Sequence, residues 1–213
     1  MTRPLSLAAL LLLAACGSDY QPELAPSEAQ APAAAAAGTT ATAIFAGGCF
    51  WCTEADFEKV PGVTGAVSGY TGGRSADPTY EQVSAGGTGH YEAVRVSYDP
   101  SRVTYQQLAD YYFRTVDPTD GEGQFCDKGE SYRTAIFYAD NDQRKLADRE
   151  KAEASRTLGQ AVATAILPAK AFYEAEGYHQ DYYKTNSVKY RFYRSRCGRD
   201  ERLAELWGAK AKG

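Results

Sequence analysis

The chain has 213 residues, with 23 basic and 27 acidic side chains and a formal net charge of −4. No block of Lys and Arg interrupts that mild acidity, which argues against a nucleic-acid-binding surface. Sixteen Tyr and two Trp point instead to a core and a cleft rich in aromatic rings.

The N-terminus reads as separate from the fold. Residues Met1 to Cys16 are MTRPLSLAALLLLAAC, with Arg3 ahead of an apolar run from Leu5 to Ala15 broken only by Ser6. That run is too short for a bilayer core ~30 Å thick, which needs about 20 residues, but it matches the apolar region of a secretory signal. It ends in Leu13-Ala14-Ala15-Cys16, then Gly17-Ser18. This resembles the bacterial lipobox, whose Cys is lipidated and becomes the mature N-terminus. Residues 1–15 are thus expected to be a lipoprotein signal peptide, with Cys16 anchoring the protein to a membrane of the cell envelope or periplasm. Residues 16–43 are rich in Ala, Pro, Ser and Thr. They carry too little large apolar surface to offset the entropy of ordering and read as a flexible tether. Residues 44–213 form one domain by length.

Within the domain, Thr42 to Ala46 is β-prone, Gly47-Gly48 breaks it, and Cys49 to Lys59 reads as helix up to Pro61-Gly62. Val63 to Tyr70 is a second strand, and Ser75 to Gly89 a loop. Glu92 to Tyr98 alternates, with Val94, Val96 and Tyr98 on one face, which predicts a half-buried strand. Thr104 and Gln107 form a capping box for a helix to about Thr115, stopped by Asp117-Pro118. Gly121 to Ser131 reads as loop, Tyr132 to Ala139 as strand, Asn141 to Leu158 as a charged surface helix, and Val162 to Leu167 as strand. His179 to Tyr183 is a short helix. The tail from Tyr190 is expected to be irregular except for Glu201 to Trp207. Strands and helices mix without strict alternation, which favours α+β over a doubly wound fold.

Setting Cys16 aside leaves Cys49, Cys52, Cys126 and Cys197. In an oxidising compartment two structural disulfides are the simplest use for them. The run Gly47-Gly48-Cys49-Phe50-Trp51-Cys52 argues otherwise for the first pair. A Cys where a strand turns into a helix meets unpaired backbone N–H groups and the positive end of the helix dipole, which lower its pKa. The two glycines would let the backbone pass close to a ligand. Glu54, Asp56 and Glu58 would oppose a thiolate and are expected to face solvent. A Cys-x-x-Cys pair suits reversible disulfide formation, whereas a structural bridge closing so short a loop stabilises little. Zinc is disfavoured because the other two Cys are single and far apart; no metal and no cofactor are expected.

The octet GGCFWCTE, followed by Phe57 and Pro61-Gly62-Val63, resembles the class A peptide methionine sulfoxide reductases. The resemblance runs on through Ser68-Gly69-Tyr70-Thr71-Gly72-Gly73, Pro78-Thr79-Tyr80, Gly89-His90-Tyr91-Glu92-Ala93-Val94, Tyr98-Asp99-Pro100, Asp117-Pro118-Thr119-Asp120, Gly123-Gln124-Phe125, Ser131-Tyr132-Arg133 and Tyr178-His179-Gln180-Asp181-Tyr182-Tyr183. It spans about Ala43 to Trp207. It implies a two-layer α+β sandwich with a mixed sheet and flanking helices around a ferredoxin-like core. It implies reduction of the S epimer of methionine sulfoxide in peptides and proteins, with free methionine sulfoxide a poorer substrate. Cys49 would be the nucleophile that becomes a sulfenic acid. Glu92 would be the acid that protonates the leaving oxygen, helped by the hydroxyls of Tyr80 and Tyr132. Strand parity supports Glu92 independently, because it shares the face of Val94, Val96 and Tyr98, where desolvation would keep it protonated.

Phe50 and Trp51 would wall the site for the substrate methyl group, and Asp127 would touch substrate backbone. Phe57 reads as core, and His90 and His179 as structural hydrogen-bonders. Of the Tyr residues only Tyr80 and Tyr132 are given a role. The resemblance leaves the resolving cysteine open among Cys52, Cys197 and Cys126, in that order of preference. A thioredoxin-like reductant is the expected partner of a monomer. Two other classes compete: a general thiol-disulfide oxidoreductase built on Cys49 and Cys52, against which stand the acid strand and the aromatic pair, and a non-catalytic lipoprotein that binds peptides or an envelope partner.

Overall fold

The computed structural model describes residues 39–212. The expected signal peptide, Cys16 and nearly all of the tether lie outside the described residues. In chain order the elements are β1 (Ala41–Gly47), α1 (Phe50–Phe57), β2 (Val63–Thr71), α2 (Tyr80–Ser84), β3 (Tyr91–Tyr98), α3 (Tyr105–Phe113), β4 (Gly123–Gln124), β5 (Asp127–Lys128), β6 (Thr134–Tyr138), α4 (Asn141–Leu158), β7 (Ala165–Pro168), β8 (Tyr173–Glu174), α5 (Tyr182–Thr185), α6 (Ser187–Arg196) and α7 (Arg199–Trp207). No described helix is long and apolar enough to cross a membrane.

Six strands form one mixed sheet in the order β7-β6-β1-β3-β2-β8, with β7 parallel to β6 and every other pairing antiparallel. The central four, β6-β1-β3-β2, with α1 between β1 and β2 and α3 between β3 and β6, give the ferredoxin-like core and the α+β class that the resemblance implies. Helices pack on one face. Phe45 of β1 stacks between Phe57 of α1 at 4.7 Å and Tyr112 of α3 at 5.2 Å. Val94, Val96 and Tyr98 of β3 join the same cluster, with Leu108, Ala147, Leu203 and Trp207 from α3, α4 and α7. Each fully buried large apolar side chain stabilises by about 1.5–3 kcal/mol relative to exposure. Ala46, Tyr91, Ala93, Ala135 and Phe137 cover the opposite face. The alternation read along β3 therefore holds, and it carries Glu92 to the helix side.

The capping box read at the start of α3 is met. Thr104 caps α3 reciprocally with Gln107. Asp140 caps α4, which ends at Gly159 in the left-handed conformation. Four expectations are corrected. Ala41, Thr42 and Ala43 belong to β1, so the ordered domain starts before residue 44. The loop from Ser75 to Gly89 contains α2, nucleated by a second capping box between Thr79 and Gln82. The loop from Gly121 to Ser131 contains the hairpin of β4 and β5. The tail before Glu201 is helical rather than irregular: α6 runs to Arg196, the chain turns at Gly198, whose φ is +63°, and α7 starts at Arg199 and contains the expected Glu201 to Trp207. The tail gives a weak apolar signal because charge and phenol contacts anchor its buried face.

Candidate active site

Cys49 is the N-cap of α1, where β1 ends and the helix begins. Its carbonyl accepts from the backbone N–H groups of Cys52 and Thr53 at 3.1 and 3.3 Å. The preceding glycines serve packing rather than ligand approach, which corrects the sequence reading. A Cβ on Gly48, at φ +79°, would sit 2.5 Å from Cβ of Gln124, and one on Gly47 would sit 2.7 Å from Oγ1 of Thr53. The strand-to-helix turn is thus pressed against its surroundings, and the Cys49 side chain has a defined direction.

A cavity of about 60 Å³ opens at that thiol, lined by Cys49, Phe50, Trp51, Tyr80, Glu92, Asp127, Tyr132 and Tyr193. All seven residues assigned to chemistry or substrate binding from the sequence meet there. Glu92 is 2% exposed and accepts the Phe50 N–H at 3.0 Å. Burial pushes its carboxyl up to about 8, against the lowering effect of the Phe50 N–H. Asp127 and Cys52 push the same way as burial. Glu92 is therefore a neutral acid at pH 7, able to donate a proton. Burial pushes Tyr80 up to about 12 and raises Tyr132 further, so both phenols keep their protons.

Trp51 is held on every side. Its ring stacks on Tyr182 at 3.9 Å, and its Nε1–H donates to Nδ1 of His179 at 3.0 Å. That bond places the neutral His179 proton on Nε2, and burial lowers the His179 pKa. His179 thus fixes the indole, as a structural hydrogen-bonder should. His90 accepts from the Gly73 N–H through Nδ1 and faces the Ser75 carbonyl through Nε2 at 2.8 Å, also a structural role.

The electrostatics of the cysteine pair overturn a sequence expectation. Burial pushes the Cys49 thiol well up rather than down, and Cys52 and Glu92 add to it. Cys52 is lowered, first by its hydrogen bond with Cys49 and then by the charges of Arg199 and Arg194. A buried thiol gains less from a helix terminus than it loses by leaving water. Glu54 and Asp56 are corrected as well, since both are buried. Glu54 accepts from Oγ of Ser68 at 2.6 Å and from the Asp181 N–H at 2.9 Å. Asp56 accepts from Arg194 at 2.9 Å. Glu58 is partly buried beside Lys184 and Tyr183.

Cys126 and Cys197 are joined in a disulfide with Cα atoms 4.8 Å apart, while Cys49 and Cys52 are free and buried. The bridge ties the β4–β5 hairpin to the end of α6 and stands outside the cavity lining. Sequence reasoning missed Tyr193. Its hydroxyl donates to the Asp127 carboxylate, and its ring lines the cavity with Cys49. The signal was available: residues 190, 193, 194 and 197 recur at helical spacing and share one face of α6. Two clusters of possible metal ligands occur among the described residues. In one, two of the ligands are spent in the disulfide. In the other, Lys184 lies 2.5 Å from Glu58 and 2.6 Å from Asp181, where a cation would sit.

A buried cysteine pair facing a protonated carboxylic acid and two phenols, across an aromatic wall, defines a thiol oxidoreductase equipped to protonate what it reduces. The sequence profile of the peptide methionine sulfoxide reductases matches residues 41–211. The Caulobacter vibrioides peptide methionine sulfoxide reductase MsrA 2 is 53% identical over 186 residues, 87% of this chain and 94% of that one. The Bacillus licheniformis MsrA is 48% identical over 174 residues, 79% of this chain and 94% of that one. Reduced Mxr1 from Saccharomyces cerevisiae superposes with a TM-score of 0.67 at 34% identity, over 70% of this chain and 86% of that one. Methionine sulfoxide reductase A of Corynebacterium diphtheriae gives 0.63 at 33%, over 70% and 76%. The chain belongs to the class A peptide methionine sulfoxide reductases.

Proposed function

We propose that this protein reduces the S epimer of methionine sulfoxide in peptides and proteins, through Cys49 as nucleophile and Glu92 as acid. The observation that carries the reading is the neutral, buried Glu92 on the same small cavity as the Cys49 thiol. The Cys49 sulfur attacks the sulfoxide sulfur while Glu92 gives its proton to the sulfoxide oxygen. Methionine leaves, and Cys49 holds the oxygen as a sulfenic acid. Cys52 then attacks the Cys49 sulfur, water departs, and a Cys49–Cys52 disulfide remains. A thioredoxin-like dithiol reduces that disulfide. Tyr80 and Tyr132, both protonated, stabilise charge on the oxygen as it leaves. Phe50 and Trp51 hold the methyl group, so exchanging methyl for oxygen, as the other epimer does, puts an apolar group against the acid.

The same proposal places the enzyme in the cell envelope, anchored through a lipid on Cys16, where it would repair oxidised exported proteins. Support comes from Leu13-Ala14-Ala15-Cys16 and the Ala- and Pro-rich segment after it. The test is dithiothreitol-driven reduction of a methionine sulfoxide peptide by the purified protein, with residual epimers separated by chromatography. Selective loss of the S epimer, abolished by Cys49→Ser in a folded protein, is the expected result. Equal consumption of both epimers, or turnover without Cys49, would falsify it.

A further inference from the structure

Two buried arginines have no part in the reaction as written: Arg194 bonds Tyr190, which packs against Cys52, and Arg199 reaches the Gly47 carbonyl two residues before Cys49. Arg199 is 2% exposed and Arg194 is 7% exposed. Arg194 bonds Asp56 at 2.9 Å and the Tyr190 hydroxyl at 3.1 Å. Its other carboxylate partner, Asp200 at 2.7 Å, stands largely in solvent. Arg199 spends its Nη atoms on main-chain carbonyls, Thr115 at 2.7 Å and Gly47 at 3.4 Å. Its Nε faces Oδ2 of Asp56 at 3.9 Å, and neither atom has a hydrogen-bond partner among the described residues.

Counted among buried groups, two cations share one carboxylate. Burying an uncompensated charge is costly, so the site favours a second anion close by. Cys52 is 1% exposed and packs with Tyr190 in the same cluster. The titratable or charged groups around it are Cys49 and Asp56 on α1, Tyr190 and Arg194 on α6, Arg199 on α7 and Glu92 on β3. Glu92 is neutral at pH 7 and the Tyr190 phenol keeps its proton. Burial holds the Cys49 thiol protonated, and Asp127, which also feels the Arg199 charge, accepts from the Tyr193 hydroxyl. Among the described groups around the pair, Cys52 is then the one left to supply a further negative charge.

Resting on the functional reading above, we propose that Arg194 and Arg199, set around Asp56, hold Cys52 as the thiolate of the pair. Cys52 is then the base that takes the Cys49 proton before it resolves the Cys49 sulfenic acid. The arginines are positioning residues, since they touch neither substrate nor reacting atom. The steps balance. Before turnover Cys49 and Glu92 each carry a proton and Cys52 carries the negative charge. As the Cys49 sulfur attacks, its proton passes to Cys52 and the Glu92 proton passes to the sulfoxide oxygen. Methionine, a Cys49 sulfenic acid, a Cys52 thiol and a Glu92 carboxylate result, with the same two protons and one negative charge. Cys52 then bonds Cys49, and its proton leaves with the hydroxyl as water. The external dithiol returns two protons with its two electrons, and one of them restores Glu92.

The thiolate titration needs no sulfoxide, so that arm fails or succeeds separately from the assigned activity. Thiolate absorbance at 240 nm is titrated in the reduced, purified chain, and the titration of the matching Cys52→Ser variant is subtracted. A thiolate forming below the usual thiol range, present only with Cys52, is expected. Arg199→Met should move its midpoint up by about one pH unit or more, the scale of a nearby charge, and Arg199→Lys should restore it. Asp56→Asn removes the opposing charge and should move the midpoint down, an effect of opposite sign that loss of packing does not produce. In Cys52→Ser, single-turnover methionine release at pH 7 should slow by about tenfold or more. If Arg199→Met does not fold, Arg194→Met together with Asp56→Asn decides. Midpoints unmoved in folded variants, or methionine release unaffected by Cys52→Ser, would overturn the proposal.

Discussion

Replacing Glu92 by Gln should cost the enzyme its rate and increase its stability at alkaline pH. The carboxyl sits at about 8 in the folded protein against an ordinary 4.5, chiefly through burial. A folded pKa above the unfolded one means the native state holds the proton more tightly. The stability this group contributes is fully present below about 4.5 and is gone once pH has risen through about 8. A displacement of that size corresponds to roughly 5 kcal/mol, at about 1.4 kcal/mol per pH unit. Gln keeps the shape and can still accept the Phe50 N–H, but it does not titrate. Urea unfolding of both proteins from pH 5 to 9 should show wild type losing stability relative to Glu92→Gln as pH rises. Single-turnover methionine release at pH 7 should fall ~10²-fold or more in the variant, the scale of general acid catalysis. In wild type that rate should also drop as pH passes about 8, and this limb should vanish in the variant. Parallel stability curves would refute the raised carboxyl, and a near-normal rate would refute its role as the acid.

Tyr193→Phe leaves the Asp127 carboxylate without its phenolic donor. A roughly tenfold fall in kcat/KM is expected from steady-state kinetics on a methionine sulfoxide peptide, the equivalent of one hydrogen bond of ~1.4 kcal/mol. The Cys126–Cys197 bridge spans a sequence separation of 71. Chain entropy puts its loss at ~4 kcal/mol, so Cys126→Ser with Cys197→Ser should lower the unfolding free energy from urea titration by an amount of that order, while dithiothreitol-driven turnover survives. Peptide mapping after one equivalent of sulfoxide should find Cys49 joined to Cys52, and a dominant Cys49–Cys197 linkage would transfer the resolving role to the tail. Mass spectrometry of the mature protein from its native host should find acyl chains on Cys16, and a soluble product starting elsewhere would reject the anchor.

The parts of the site that were legible in the sequence are those whose cause is local. Alternation along β3 told which side Glu92 takes, because a strand's period of two needs no knowledge of its neighbours. Capping residues told where α3 starts, and Thr79 with Gln82 carried the same signal for α2. Cys49 could be placed at a helix start from Gly47-Gly48 alone, but its proton affinity could not. The helix end is a local feature that lowers a thiol, whereas burial is a property of the finished fold. Here burial outweighs the helix end, and the sign reverses.

Glu54 and Asp56 show why the rest was hidden. On an isolated helix two carboxylates two residues apart belong to solvent, since no nearby side chain compensates them. Their partners arrive from far along the chain: Ser68 is 14 residues from Glu54, Asp181 is 127 away, and Arg194 is 138 from Asp56. Only when β2, α5, α6 and α7 are in place does the buried position of these acids become favourable. The same contacts explain why the tail read as irregular. Its inward face carries Tyr190, Tyr193, Arg194 and Arg199, which an apolar periodicity does not detect, yet each touches Asp56, Asp127, a phenol or the backbone beside the cysteines. The ordering of α6 and α7 and the electrostatics of the Cys49–Cys52 pair therefore rest on one set of interactions. A substitution at Arg199 is expected to reach the chemistry through the charge it removes, not through a shifted wall of the cavity.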